Sequence, residues 1–410
     1  MSAEPTRPTV IYASHLFDGV SGDLKPNVAV EFVAGRVARI GASLEPPPGA
    51  RVVRAPNATL LPGLIDCHVH LTLSASGNWL GEMGDPVPTL TLRAATFARR
   101  TLLGGITTVR TLGGGHGIEV DLKRAIDAGL VEGPRIVSAG KIICITGGHG
   151  SWVGREADGP EDVRKAVREQ IKAGAEVIKF TATGGVMTPG IGAFGASFTL
   201  DELTAGVEEA HRHGRRATAH ALGAAGIRNA VLAGCDSVEH GSQIDEDLAR
   251  LMRERGTVLV PTISAIHHFL TRGEAAGAPA WAMEKIRQTA PVAAKSFQCA
   301  VQMGVTIAMG TDAGTPMNAH GANAQEVALM ADRGLSGRDA LLAATRNAAR
   351  LLGLEREIGT LEEGKRGDAV LVRGNPLERP GLFWDPANLL AVFKDGVPYR
   401  LEPELDVRLT

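Results

Sequence analysis

The chain predicts an α/β protein, a (β/α)8 TIM-type barrel with a small β-sandwich built from both chain ends. Three observations carry that expectation. Eight short apolar runs recur along the middle of the 410 residues and alternate with longer Ala-, Glu- and Arg-rich stretches of helical spacing. Both chain ends read instead as short, glycine-punctuated β segments. Candidate chemical residues close several of the middle runs around the whole series, as in a barrel. No Gly-x-Gly-x-x-Gly opens a first helix, as a doubly wound sheet would favour.

At the N-terminal end, Thr9 to Ala13, Val28 to Phe32 and Arg36 to Ile40 read as strands, separated at Gly19, Gly22, Gly35 and Gly41. The eight middle runs are Leu60 to Ile65, Ile106 to Thr111, Arg135 to Ala139, Val177 to Thr181, Arg216 to Ala219, Ser237 to Glu239, Val258 to Thr262 and Thr306 to Met309. Helical spacing follows in Pro160 to Ala173, Leu200 to Arg212, Ala224 to Leu232 and Asp245 to Arg255. From Gly359 the chain returns to turns and a strand, and Leu390 to Phe393 with Val397 to Arg400 suggests a closing hairpin. Neither end has enough strands for a core of its own. Residues 1–60 plus 355–410 are therefore expected to pair as one sandwich, with 61–354 inserted as the barrel.

Composition narrows the partners. Lys plus Arg number 43 against 45 Asp plus Glu, a formal net charge of −2, so no electrostatic excess recommends nucleic acid or an anionic membrane. Aromatics at 4% leave few stacking platforms. Hydrophobic residues at 44% allow a sizeable core, and a small molecule is the expected partner. Cys67, Cys144, Cys235 and Cys299 form no Cys-x-x-Cys pair, which indicates neither a thiolate metal site nor a disulfide framework. The start of the chain lacks a secretory apolar segment, and no apolar run is long enough to span a membrane. A soluble, cytoplasmic protein is expected.

The chemistry gathers at strand ends. His68 and His70 stand two apart on an extended segment, point to the same face and can reach one metal. Lys179, His220, His240 and Asp312 each follow a predicted strand, at the barrel end where active sites lie. Nitrogen and oxygen donors of this kind suit zinc, with manganese or cobalt as substitutes. An ammonium at Lys179 would be repelled by metal ions. A buried lysine is readily neutral and can then capture carbon dioxide as a carbamate bridging two ions; the alternative is a salt bridge to Glu176. Asp312 can ligate and still take a proton from water, or else cap the next helix.

In this arrangement the chain resembles the amidohydrolase superfamily, binuclear metal branch. His68-Val-His70, Lys179, His220, His240 and Gly310-Thr-Asp312 fall in that family's order, and the stretch from Gly359 resembles its returning sandwich. The resemblance implies that His68, His70 and Asp312 hold one divalent ion and His220 and His240 the other. A carboxylated Lys179 and a hydroxide would bridge them, with Asp312 moving the proton. It also implies a homo-oligomer.

Within the family the likeness is to imidazolonepropionase-like and Xaa-Pro dipeptidase-like members, carried by Lys141 to Gly150 and Ala182 to Gly190. This implies cleavage of dipeptides or N-acyl amino acids, including ochratoxin-type substrates; a lactone, urea or carbamate hydrolase is the alternative. His149 is expected either to bind a substrate carboxylate or carbonyl, or to be an exposed loop histidine. Arg228 is either near the substrate carboxylate or a solvated helix arginine. Two residues after His220 stands Leu222, where many dipeptidase-like members carry tyrosine, so His267 and His268 are candidate donors in its place, or else a surface pair. Leu222, Ile266 and Phe269 would give the pocket an apolar side, and Gly184 to Gly195 is either a lid or a solvated loop.

Overall fold

Period-two alternation governs both chain ends. In the computed structural model, which describes residues 7–82 and 84–410, the N-terminal part forms β1 (Thr9–Phe17), β2 (Leu24–Val33), β3 (Arg36–Gly41) and β4 (Arg51–Pro62). The middle contributes β5 (Leu64–Val69), β6 (Ile106–Thr111), β7 (Arg135–Ser138), β8 (Ile143–Cys144), β9 (Arg155–Glu156), β10 (Val177–Thr181), β11 (Arg216–Ala221), β12 (Ser237–His240) and β13 (Val258–Val260). The C-terminal part adds β14 (Ala369–Arg373), β15 (Leu389–Lys394), β16 (Val397–Leu401) and β17 (Asp406–Leu409).

Strands of both ends join in one eight-stranded sheet, ordered β16-β15-β14-β4-β1-β2-β3, with β17 also on β4. β4 runs parallel to β1 on one side and antiparallel to β14 on the other. Along β14, Ala369 and Leu371 pack with Phe32, Leu60 and Phe393, whereas Val370 and Val372 join the large core of the middle. Successive side chains leave a strand on opposite faces, so one face of this sheet is sealed against the rest of the molecule.

In the middle, β5, β6 and β7 make a parallel three-stranded sheet, and a parallel six-stranded sheet runs β13-β12-β11-β10-β8-β9. Extended residues 306–313 bond to both sheets. Ala308 N donates to Leu259 O at 3.0 Å on the β13 side, and Cys67 N donates to Met309 O at 2.8 Å on the β5 side. At the opposite edges, Glu176 N donates to Ser138 O at 2.8 Å.

The strand series departs from expectation at three places. The run Leu60 to Ile65 is divided by Gly63, where a Cβ would overlap the Thr107 side chain, so its first half ends β4 and its second begins β5. Thr306 to Met309 is held by isolated bridges rather than a full ladder. β8 and β9 were not anticipated; they pair in parallel and frame the loop that carries His149.

The helices Pro160–Ala173, Leu200–Arg212 and Ala224–Leu232 stand at the expected positions. Thr199 and Glu202 start the second with a reciprocal capping box. Asp245 caps the helix Glu246–Arg255 by accepting from Leu248 N at 2.8 Å. No helix among the described residues is long and apolar enough to cross a membrane.

Arg135 ties the middle to the end sheet. From the start of β7 it donates to Asp368 Oδ2 at 2.6 Å, Thr108 Oγ1 at 3.0 Å and Asp395 Oδ1 at 3.0 Å. The Asp368 side chain is only 3% exposed, so losing the guanidinium would strand a desolvated carboxylate. Arg135→Ala is expected to lower the unfolding free energy by about 2–4 kcal/mol. Urea denaturation checks this, and an unchanged midpoint would contradict the tie.

Candidate metal centre

His68 stands in β5 and His70 just past its end, two residues on, and their rings lie 5.3 Å apart. Lys179 comes from β10, His220 from β11, His240 from the end of β12 and Asp312 from the extended segment 306–313. All six line one cleft with His149. The His68 and His240 rings are 5.2 Å apart, His220 and His240 4.5 Å, and His149 and His220 4.4 Å.

The hydrogen bonds behind these rings decide which nitrogen faces the cleft. His70 Nδ1 lies 2.6 Å from Gly113 O, and a carbonyl only accepts, so Nδ1 carries the proton and Nε2 is turned inward. His68 Nδ1 likewise donates to Glu239 Oε2 at 2.8 Å. His220 is reversed, with Nε2 donating to Gly184 O at 2.8 Å and Nδ1 left inward. His240 Nδ1 meets Thr262 Oγ1 at 2.7 Å, which again leaves Nε2 inward. Each imidazole is thus held by its outer nitrogen, the arrangement that orients metal-ligating histidines.

The inward atoms crowd together. Asp312 Oδ1 lies 3.2 Å from His68 Nε2 and 3.1 Å from His70 Nε2, yet it is buried without a hydrogen-bond donor. Lone pairs facing one another at such distances require a cation or proton between them. Burial opposes charging His70, but the adjacent Asp312 carboxylate raises its pKa overall. Burial and neighbouring positive charge hold His68 and His240 well below the ordinary imidazole range. Ligand atoms of His68, His240 and Asp312 all lie within 4.8 Å of one another, a group that can hold a metal ion.

Lys179 fits the same demand. Its amine is buried with no partner, and Glu176, the candidate counter-ion, approaches Lys123 at 3.8 Å instead. Burial pushes Lys179 down to about 8, and an ammonium here would leave its donors unsatisfied. Three residues around the centre, His240, Thr262 and Asp312, hold positive φ of 69°, 50° and 62°. Non-glycine residues rarely adopt this region except where surrounding structure imposes it, often at functional sites.

A second layer was missed by sequence reasoning. Glu239 receives His68 Nδ1–H through one oxygen and the fully buried Arg110 through the other at 2.7 Å. Arg110 also donates to Cys67 O at 2.6 Å and Ser237 Oγ at 3.1 Å. Asp66 accepts from His68 N and Thr311 N, and from the Thr311 and Asn323 side chains, which fastens β5 to the segment bearing Asp312. The available signal was a charged residue inside each of three buried strands, Asp66, Arg110 and Glu239, since such charges persist only when paired.

The cleft walls are largely apolar. Leu222, Ile266 and Phe269 line it as expected, joined by Ile142, Trp152, Val186, Met187 and Ile286. His149 is also in the wall, with Nδ1 2.6 Å from Thr188 Oγ1, and burial pushes it down to about 3.

Three expected substrate contacts lie elsewhere. Arg228 is exposed, because its helix turns Ile227, Ala230 and Val231 to the core and leaves position 228 in solvent. His267 and His268 do not line the cleft, although Ala265, Ile266 and Phe269 of the same helix do. Helical residues turn by about 100° each, which directs His267 against Trp384, ring centroids 5.5 Å apart, and buries His268.

A profile of the amidohydrolase family matches residues 59–398. The chain is 34% identical to ochratoxinase from Aspergillus niger over 430 aligned positions, covering 96% of this chain and 87% of that protein. It is similar to the crystal structure of a Xaa-Pro dipeptidase with methionine in its active site, at TM-score 0.87 and 33% identity, covering 96% of this chain and all of the other. A prolidase complexed with N-methylphosphonate-L-proline is similar at TM-score 0.90 and 30% identity, with 96% of this chain covered.

Glu239→Gln tests the second layer. It removes the charge that fixes the His68 tautomer, and metal affinity is expected to fall about 10–100-fold. Competition with a chelator measures this. Unaltered affinity in a folded variant would mean that Glu239 serves Arg110 alone.

Proposed function

The chain belongs to the amidohydrolase family, a hydrolase acting on carbon–nitrogen bonds, and on that premise we propose that it cleaves the amide bond of dipeptides or N-acyl amino acids carrying an apolar or aromatic group. The observation that carries the reading is the convergence of inward-facing lone pairs from His68, His70 and Asp312, with the unpartnered Lys179 amine in the same cleft. In this reading the two middle sheets and segment 306–313 close into the eight-stranded barrel of residues 61–354. Residues 1–60 plus 355–410 form the sandwich-type unit beside it.

Two divalent ions, zinc by preference, would be held by His68, His70 and Asp312 and by His220 and His240, with Lys179 contributing to both as a carbamate formed from carbon dioxide. Such ions supply Lewis acidity that lowers the pKa of water and polarises a carbonyl. Asp312 takes a proton from the attacking water and returns it to the departing nitrogen, so water and amide become acid and amine. In this reading the Thr188 hydroxyl donates to His149 Nδ1, which would leave Nε2–H as a donor toward the substrate carbonyl or carboxylate. The apolar walls seat the acyl or aromatic group.

A second reading, hydrolysis of a lactone, urea or carbamate, is favoured by one observation. Among the described residues lining the cleft, Lys179 is the only lysine or arginine, so no fixed cation awaits a substrate carboxylate. The discriminating experiment is amine release from N-acyl amino acids and Xaa-Pro dipeptides, each paired with its carboxyl-amidated twin. Turnover of the free acids alone supports the dipeptidase reading, and equal turnover of the twins supports neutral substrates. Chelation is expected to abolish activity and zinc to restore it. Asp312→Asn is expected to lower kcat by about 10²–10⁴-fold in a folded protein; near-normal kcat would remove Asp312 from proton transfer.

A further inference from the structure

Lys285, on the helix Ala280–Gln302, has its ammonium turned to the glycine-rich loop rather than to an acid. Nζ donates to Thr188 O and Ile191 O at 2.6 Å each and to Gly185 O at 3.2 Å, which uses its three donors on three carbonyls of one loop. Thr188 makes both links: its carbonyl accepts from Lys285, and its hydroxyl bonds His149 Nδ1 at 2.6 Å. Between those anchor points, Val186 and Met187 face the cleft beside Ile286, the residue next to Lys285. Gly185 packs against the His149 ring so closely that a Cβ there would overlap it. The loop base is closed by Gly184 N donating to Gly195 O at 3.0 Å and by the Thr183–Ala196 bridge.

We propose that Lys285 is a specificity-determining positioning residue, which straps loop 184–195 over the cleft and so fixes both the apolar wall at Val186 and Met187 and the orientation of His149. The inference deepens the hydrolase reading and rests on it. Lys285 touches no reacting atom and acts only through the loop. Charge-assisted bonds to carbonyls are among the stronger hydrogen bonds, and a neutral side chain of similar length cannot replace three of them.

The test compares Lys285→Met and Lys285→Arg with the parent zinc-loaded enzyme. For Lys285→Met, KM for a substrate with a bulky aromatic acyl group is expected to rise about 10–100-fold. KM for the acetyl analogue, which does not reach the wall, should change far less, kcat should fall alike for both substrates as His149 loses its orientation, and metal content should hold. Lys285→Arg, which keeps charge and donors, should recover most of the loss. Amide hydrogen exchange over 184–195 should accelerate in Lys285→Met and not elsewhere, a readout independent of any substrate. Unchanged exchange in the loop would overturn the proposal even if the substrate class were right. Faster exchange with no turnover of any amide would instead fault the hydrolase reading. An equal fall in kcat for both acyl groups with loss of metal would also overturn the proposal, since Lys285 would then support the fold rather than the wall.

Discussion

One carboxylate, Glu239, sits where the demands of folding and chemistry meet. It is fully buried, and it shares its two oxygens between the Arg110 guanidinium and the outer nitrogen of His68. A buried charge is tolerated only with well-placed partners, and here the partner cation also bonds the Cys67 carbonyl on β5. The pairing thus clamps β12 to β5 across the interior and at the same time turns a lone pair of His68 toward Asp312. The Gly113 carbonyl, the Gly184 carbonyl and the Thr262 hydroxyl repeat the device for the other three histidines. The inner atoms face one another around a space suited to a cation.

Much of this was legible in the letters because the inner residues obey strong local rules. The His68-Val-His70 spacing on a strand and the recurrence of Lys179, His220, His240 and Asp312 after apolar runs are short-range patterns, and the structure brings the six site residues to one cleft. The failures concern direction around a helix. His267 and His268 lie one or two residues of helical rotation from Ile266 and Phe269, which line the cleft, whereas Arg228 sits on the solvent face of a helix that contributes no described residue to it. Glu239 and Arg110 escaped notice for another reason: their partners lie far away in sequence, and only the fold closes those pairs.

The apolar cleft and the strapped loop belong together physically. A wall of Val186, Met187, Ile266, Phe269 and Ile286 can discriminate by shape only if it stays in place. A loop this rich in glycine pays a high conformational entropy to be ordered, and Lys285 offsets part of that by binding three carbonyls at once. The three left-handed residues, His240, Thr262 and Asp312, are local strain held by the surrounding hydrogen bonds.

The placement of β4 bears on how the protein comes into being. Its edge toward β14 is paired at Leu61 with Val370, so on the ribosome that edge waits for roughly 300 further residues, about 15–60 s at ordinary elongation rates. Throughout that interval one edge of an apolar strand stands unpaired, which is the condition that invites intermolecular association. Such long-range pairing also slows folding relative to local contacts. Yield in a host cell should therefore depend on chaperone capacity and growth temperature more than on the stability of the finished fold.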